Sequence, residues 1–294
     1  MPKKRHNKKA GAALAQSSRI WLLTSLETHH ERLCFEDWLQ ALVGLYICDI
    51  LEGCDTHSEA SGAYRRFSAY FVSQISSMAH QHVEGLMLAH CILSTRGFPS
   101  PTLTSFANDV ANALAGKDQP PDANVSIQIL LSRLALISTL PRPQELTQSD
   151  IGGEALALLL ASEDALEQLC FRISAASLFG RRAICGVHET LGDLAFALPS
   201  ITLQQLRKYN LSLGAALLRS LNYLHLDQTI AVQSGIRFLE AQQRHDGAFG
   251  FFALKANESE GVSDKITIHR LYLQTTINCM WAIAEICTPN FRLI

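Results

Sequence analysis

The sequence predicts an all-α fold built as a ring of about six helical hairpins. Apolar residues recur at i, i+3, i+4 and i+7 almost throughout the chain, and strand-type alternation is nowhere sustained. The composition agrees: 48% of residues are hydrophobic, 18% are charged and 7% are aromatic, which favours Leu/Ala-rich helix packing around a sizeable core. No Pro/Gly/Ser-rich linker divides the 294 residues after the first dozen, so the expected organisation is a basic tail over residues 1–12 and a single helical domain over 13–294.

Taken in chain order, the first segment is the basic run Pro2-Lys3-Lys4-Arg5-His6-Asn7-Lys8-Lys9. No apolar signal core follows it, so it reads as a solvated, disordered tail and not as a secretory signal. A tail of this kind is also able to touch nucleic acid or anionic lipid, but the formal net charge of the chain is only -2 and no aromatic residues interleave with the lysines. Next, Trp38, Leu39, Leu42, Val43, Tyr46, Ile47, Ile50 and Leu51 mark a helix with a broad buried face. Turn signals at Gly97-Phe98-Pro99-Ser100-Pro101, Pro120-Pro121, Pro141-Arg142-Pro143 and Pro199-Ser200 then cut the chain into about twelve helical segments.

Two of these segments announce their starts. Ser162 followed by Glu163 and Asp164 supplies an N-cap and two negative charges to a positive helix end, and Thr202 with Gln205 forms a capping-box pattern. A further helix is expected over Thr229–Gln243, with Asp227 as its N-cap or first-turn acid. The last segment, Leu271 to Cys287, is as apolar as an internal helix. An open solenoid needs polar terminal repeats, so six hairpins of this composition are better closed into a ring than left open.

No apolar run reaches the roughly 18–20 residues that span a bilayer, so a soluble protein is expected. The eight cysteines form no Cys-x-x-Cys and lie in apolar helical stretches, which reads as reduced core thiols in a cytoplasmic protein. No Gly-rich phosphate loop, nucleophile elbow or kinase motif set is present.

At Gln243-Arg244-His245-Asp246-Gly247-Ala248-Phe249-Gly250 the chain resembles the Gln-x-x-x-Gly-x-Trp repeat of the terpenoid cyclase and protein prenyltransferase superfamily, with Phe249 in the aromatic place. The resemblance implies an (α/α)6-like toroid, in which the glutamine caps a helix end and the aromatic stacks behind it. Such a motif stabilises a toroid and is not a catalytic signature. Read from the residues themselves, Gly247 permits a turn with positive φ and Asp246 is suited to accept backbone N–H groups there. The stretch from Ile268 to Glu285 is similar to the helix that follows such a turn. The chain also resembles a group of bacterial toroid-like proteins whose helix carries a central histidine where His188 falls; the acidic residue that follows it in that group is out of register here.

The catalytic sets of the better-known toroid enzymes are missing. Class II terpenoid cyclases protonate substrate with Asp-x-Asp-Asp, which is absent, and the Cys, then Cys-His zinc pattern of lanthipeptide cyclases is absent as well. What remains are single candidates. His80, His82, Glu84 and His90 form the densest polar cluster, with His80 and Glu84 at i,i+4 on one helix face as weak zinc ligands, or else as hydrogen-bonded surface groups. Cys185 and His188 stand three apart, as nucleophile and base, as two metal ligands, or as a core thiol beside a hydrogen-bonded imidazole. His225 and Asp227 precede a helix. His269 is expected to open the terminal helix, with Tyr272 and Thr276 completing a polar stripe towards a central cavity.

The expected function follows from fold analogy. It is a bacterial enzyme of specialised metabolism, cyclase-like or tailoring, that takes an apolar or peptide-like substrate in the toroid's cavity and uses His188, His225, Asp227 and His269 for acid/base chemistry. No cofactor is required by this reading. The competing expectation is a non-catalytic module that binds a peptide or protein partner, or its own copy. A third is a metal-dependent toroid enzyme using Zn²⁺ at Cys185, His188, His80 or Glu84.

Overall fold

The computed structural model describes residues 3–53, 60–78, 80–115, 125–138, 146, 155–184, 188–250 and 262–294. Among them are twelve α-helices, one short 3-10 turn and no strand, so the all-α class is as expected. The chain divides into two compact units, Met1–Gly53 with Glu145–Leu293, and Cys54–Gln144 with Ile294.

The larger unit holds α1 (Lys3–His29), the 3-10 turn His30–Arg32, α2 (Phe35–Glu52), α7 (Ala155–Leu159), α8 (Glu163–Ala176), α9 (His188–Arg207), α10 (Leu211–Tyr223), α11 (Ile230–Ala241) and α12 (Val262–Cys287). Helix α2 is apolar on nearly every face, with Phe35, Trp38, Leu42, Leu45 and Ile47 all buried. Its start is fixed by Asp37, whose carboxylate accepts from the Cys34 N–H at 2.9 Å, and its end by Gly53 in the left-handed region. Helix α1 is joined to α2 by Arg19, which donates to Glu52 and pairs with Asp49 at 2.7 Å. Helix α12 packs against α1, α2, α10 and α11 and buries Leu273, Ile277, Met280 and Ile283. Gly44 of α2 makes that approach possible, because a Cβ there would collide with the side chains of Ile277 and Leu22.

Ser162 caps α8 as expected, accepting from the Ala165 N–H at 3.3 Å. The expected boundary at Pro199-Ser200 is not one. Helix α9 runs through Pro199, and Thr202 is in its interior, where its hydroxyl donates to the Leu198 carbonyl at 2.7 Å instead of capping. Proline removes one N–H and strains the preceding turn, but burial of Leu194, Ala197, Leu198, Ile201 and Leu206 along one face of α9 outweighs that cost. The next helix starts at Leu211 with Asn210 as its cap. Asp227 does not cap α11 either; Thr229 occupies the N-cap position and Gln242 the C-cap.

The smaller unit holds α3 (Ser61–Met78), α4 (Val83–Thr95), α5 (Pro101–Ala115) and α6 (Val125–Arg133). Helix α4 touches the other three and is buried from Leu86 to Leu93. The Gly97–Pro101 turn is where the sequence put it: Gly97 has φ 78°, and Pro101 is the first residue of α5, where a missing N–H costs nothing. The turn signals at Pro120-Pro121 and Pro141–Pro143 lie outside the described residues.

Of the cysteines, Cys48, Cys91, Cys170 and Cys279 are buried thiols, and Cys34 and Cys287 are half-buried thiols. Burial pushes the Cys170 and Cys287 thiols up to about 11, which keeps them protonated and inert. Cys54 and Cys185 lie outside the described residues. Among the described residues, no helix is long and apolar enough to cross a membrane.

Candidate functional site

Helix α11 ends in the turn singled out by the sequence. Gly247 has φ 97°, and the Ala248 N–H donates to the Asp246 carboxylate at 3.1 Å. Gln243 and Phe249 face each other in an isolated antiparallel bridge, and Phe249 is fully buried. The Gln243 amide does not reach a helix end. It donates to the Leu14 carbonyl within α1 at 2.8 Å, to the Ser18 hydroxyl at 3.0 Å and to the Gly247 carbonyl at 3.2 Å. Ser18 in turn donates to the Gly247 carbonyl at 2.7 Å, and the Phe249 N–H donates to Thr276 of α12 at 3.0 Å. The turn is therefore a polar wedge that ties α11, α1 and α12 together.

Further along the same α1–α12 seam lies His269. It does not open the terminal helix, because α12 begins at Val262 and His269 is two turns in. Its Nε2 is 2.7 Å from the Ser25 hydroxyl, and its ring lies between Trp21, with centroids 5.6 Å apart, and His29, with centroids 4.7 Å apart. Trp21, Ser25 and His29 follow one another at i,i+4 on α1, so one face of that helix presents all three. Partial burial, helped by His29 and Arg270 and opposed by Asp37, holds the His269 imidazole down at about 4. It is neutral at neutral pH. The positive charge of Arg270 is held by Asp37, with Nε to Oδ2 at 2.9 Å.

The other two members of the expected stripe are employed structurally. The Tyr272 hydroxyl accepts from Arg244 at 2.6 Å, and Thr276 accepts from Phe249. Arg244 also pairs with Asp246 at 3.0 Å, so Tyr272 and Thr276 brace the wedge.

The remaining candidates do not join His269. His225 is exposed, with φ 58°, and its N–H donates to the Asn222 carbonyl at 3.1 Å, so it terminates α10 in the manner of a left-handed cap. Asp227 is half-buried and accepts from the neighbouring Gln228 amide. His188 is the first residue of α9, but its side chain, like the whole of Cys185, lies outside the described residues.

The expected shared face of His80 and Glu84 is not formed. The N–H groups of Gln81 and His82 both donate to the Met78 carbonyl, which turns the chain there, and α4 begins only at Val83 with His82 as N-cap. His80 and Glu84 are both exposed. His90 is buried inside α4, where Ser94 lies 3.3 Å from Nδ1 and Thr104 3.5 Å from Nε2. Among the described residues, no group of three or more His, Cys, Asp or Glu side chains converges as a metal-ligand set.

A second feature of the larger unit has no counterpart in the sequence reading. Phe196 and Leu203, seven residues apart on α9, share a face opposite the buried one and are 72% and 36% exposed. Helix α7 packs on α9, and Leu156 and Leu160 beside it are 68% and 80% exposed. Tyr209, just beyond α9, is exposed and lies tilted against Phe238 of α11 with centroids 5.8 Å apart. Large side chains exposed singly are ordinary, but five on adjoining elements are unusual for a surface that faces only water.

Compared with known proteins, the chain matches no family model, no curated protein and no solved structure.

Proposed function

We propose that the chain is a peptide- or protein-binding helical module of the bacterial cytoplasm, its hairpins closing into the (α/α)6-like toroid that the Gln243–Gly250 turn resembles. The observation that supports binding is the exposure of five large apolar side chains on or next to two packed helices, Leu156 and Leu160 at α7 and Phe196, Leu203 and Tyr209 at α9. Aromatic and aliphatic anchors of this kind lose water on contact with an amphipathic partner, and a few of them carry most of the affinity of such an interface. Selection from a displayed peptide library should enrich apolar sequences. Their binding should fall at least tenfold in the Phe196→Ser, Leu203→Ser double variant at unchanged Tm. Enriched peptides that bind the double variant equally well would refute the reading.

One observation favours a second reading, an enzyme of specialised metabolism that takes an apolar or peptide-like substrate. Ser25 and His269 stand within hydrogen-bond reach, and the imidazole is neutral and able to accept a proton. On this reading His269 is the base. His269→Gln should then abolish turnover of such a substrate without lowering Tm, and turnover that survives the substitution would rule out this role.

A further inference from the structure

We infer that the apolar surface at α7 and α9 takes a second copy of this chain, α9 lying antiparallel against α9 across a twofold axis near Ser200, which rests on the reading of that surface as a binding face. At about 100° per residue, Gly192, Phe196, Ser200, Leu203 and Arg207 fall within an arc of roughly 80° on α9. All five are exposed. Phe196 and Leu203 are equidistant in sequence from the midpoint between Pro199 and Ser200, and so are Gly192 and Arg207. Turned end for end on itself, the row therefore sets Phe196 of each copy over Leu203 of the other. The small Ser200 falls near the centre, where two crossing helices come closest. A twofold contact needs a surface that is complementary to itself in this way. Leu156 and Leu160, at the helix that packs on α9, would widen the contact.

The charges select the antiparallel direction. Arg207 and Lys208 are exposed, and neither is held by an ion pair among the described residues. Parallel helices would bring Arg207 against Arg207. Antiparallel ones carry it to the far end of the row, over Gly192 and next to Asp193, a half-buried acid. Gly192 leaves room for the arginine, since nothing lies within 4 Å of a Cβ there. The basic run near the start of the chain is a poorer occupant, because Arg207 and Lys208 would repel it. Two whole copies repel each other little, the formal net charge of each being only -2.

Sedimentation velocity of the full chain at micromolar concentrations and above should show a monomer–dimer equilibrium. The Phe196→Ser, Leu203→Ser double variant should weaken the dimer roughly tenfold or more. Gly192 is about 22 Å from Arg207 within one chain, well beyond the screening length of about 8 Å in physiological salt, so a charge placed there meets Arg207 only across the interface. Gly192→Glu should tighten the dimer roughly threefold and Gly192→Lys should weaken it by a similar factor, and both differences should fade in about 1 M salt. A chain that stays monomeric while Phe196 and Leu203 hold selected peptides, or vesicles of anionic phosphatidylglycerol, would overturn the second copy and leave the binding face standing. A dimer indifferent to the double variant, or one that Gly192→Glu and Gly192→Lys shift alike, would overturn it as well. Peptide binding that ignores Phe196 and Leu203 in a monomeric chain would bring down the face itself.

Discussion

Replacing Gly247 by alanine tests whether the turn after α11 is the fastening of the larger unit. A Cβ at this position would run into the backbone of Ser17, against its carbonyl oxygen and carbon, and would lie 2.9 Å from the Ser18 nitrogen. Backbone inside a helix has no rotamer with which to move aside, so α1 and the turn must separate. Left-handed φ costs a residue with a Cβ about 1–2 kcal/mol, and forced overpacking costs about 1–3 kcal/mol. Together these give a loss of about 2–5 kcal/mol before the Ser18 and Gln243 hydrogen bonds to the Gly247 carbonyl are weakened. At about 2–4 °C per kcal/mol for a domain of this size, Tm should fall by roughly 4–20 °C. Gly192→Ala is the control. Nothing lies within 4 Å of a Cβ there, and the site is inside α9, so the substitution should stabilise by about 0.5–1 kcal/mol. A thermal melt in which Gly247→Ala lies within a degree of the parent chain would refute the wedge.

Three other outcomes follow from the same contacts. Arg19→Met leaves Asp49 and Glu52 without their shared cation in a largely buried position, and should cost about 2–4 kcal/mol in urea unfolding. Glu285 accepts from the Tyr223 hydroxyl at 2.5 Å and from the Leu293 N–H at 3.2 Å. Glu285→Ala takes the acceptor away from both groups and should cost about 2–4 kcal/mol by the same assay, and Tyr223→Phe, which takes the donor away from a buried carboxylate oxygen, should cost about 1–3 kcal/mol. Burial holds the His90 imidazole below its ordinary value, so the unfolded chain binds its proton more readily than the folded one. The stability that depends on neutral His90 is therefore present above about pH 6.5 and is lost as pH falls below it. The hydrogen-exchange protection factors of α4, which divide out the slower intrinsic exchange at low pH, should fall on acidification, and in His90→Gln that part of the pH dependence should vanish.

How much was legible in the sequence differs from element to element. The all-α class, the Ser162 cap, the Gly97–Pro101 turn and the conformation of Asp246-Gly247 are local: they depend on periodicity, on a side chain reaching its own helix end, or on which φ a residue tolerates. Pro199 misled because its cost is local but its compensation is not. The buried face of α9 overrides a helix breaker, and the same override moved Thr202 from a cap to a helix interior. His225 and Asp227 looked chemical because they are polar and adjacent to a helix, yet one terminates α10 and the other bonds its neighbour. The i,i+4 spacing of Trp21, Ser25 and His29 is visible in the sequence, but nothing local marks it out from any other helix face. The stripe acquires a partner only when α12 brings His269 against it, 244 residues after Ser25.

The sequence by itself determined that this chain folds into helices, where several of them begin and end, and that one glycine turn follows α11, because backbone propensity and capping act over a few residues. Tertiary structure alone decided what that turn fastens, which histidine is neutral and what lies beside it, and which apolar side chains face outward. Those properties depend on desolvation and on contacts between distant segments, and neither is written in any local pattern.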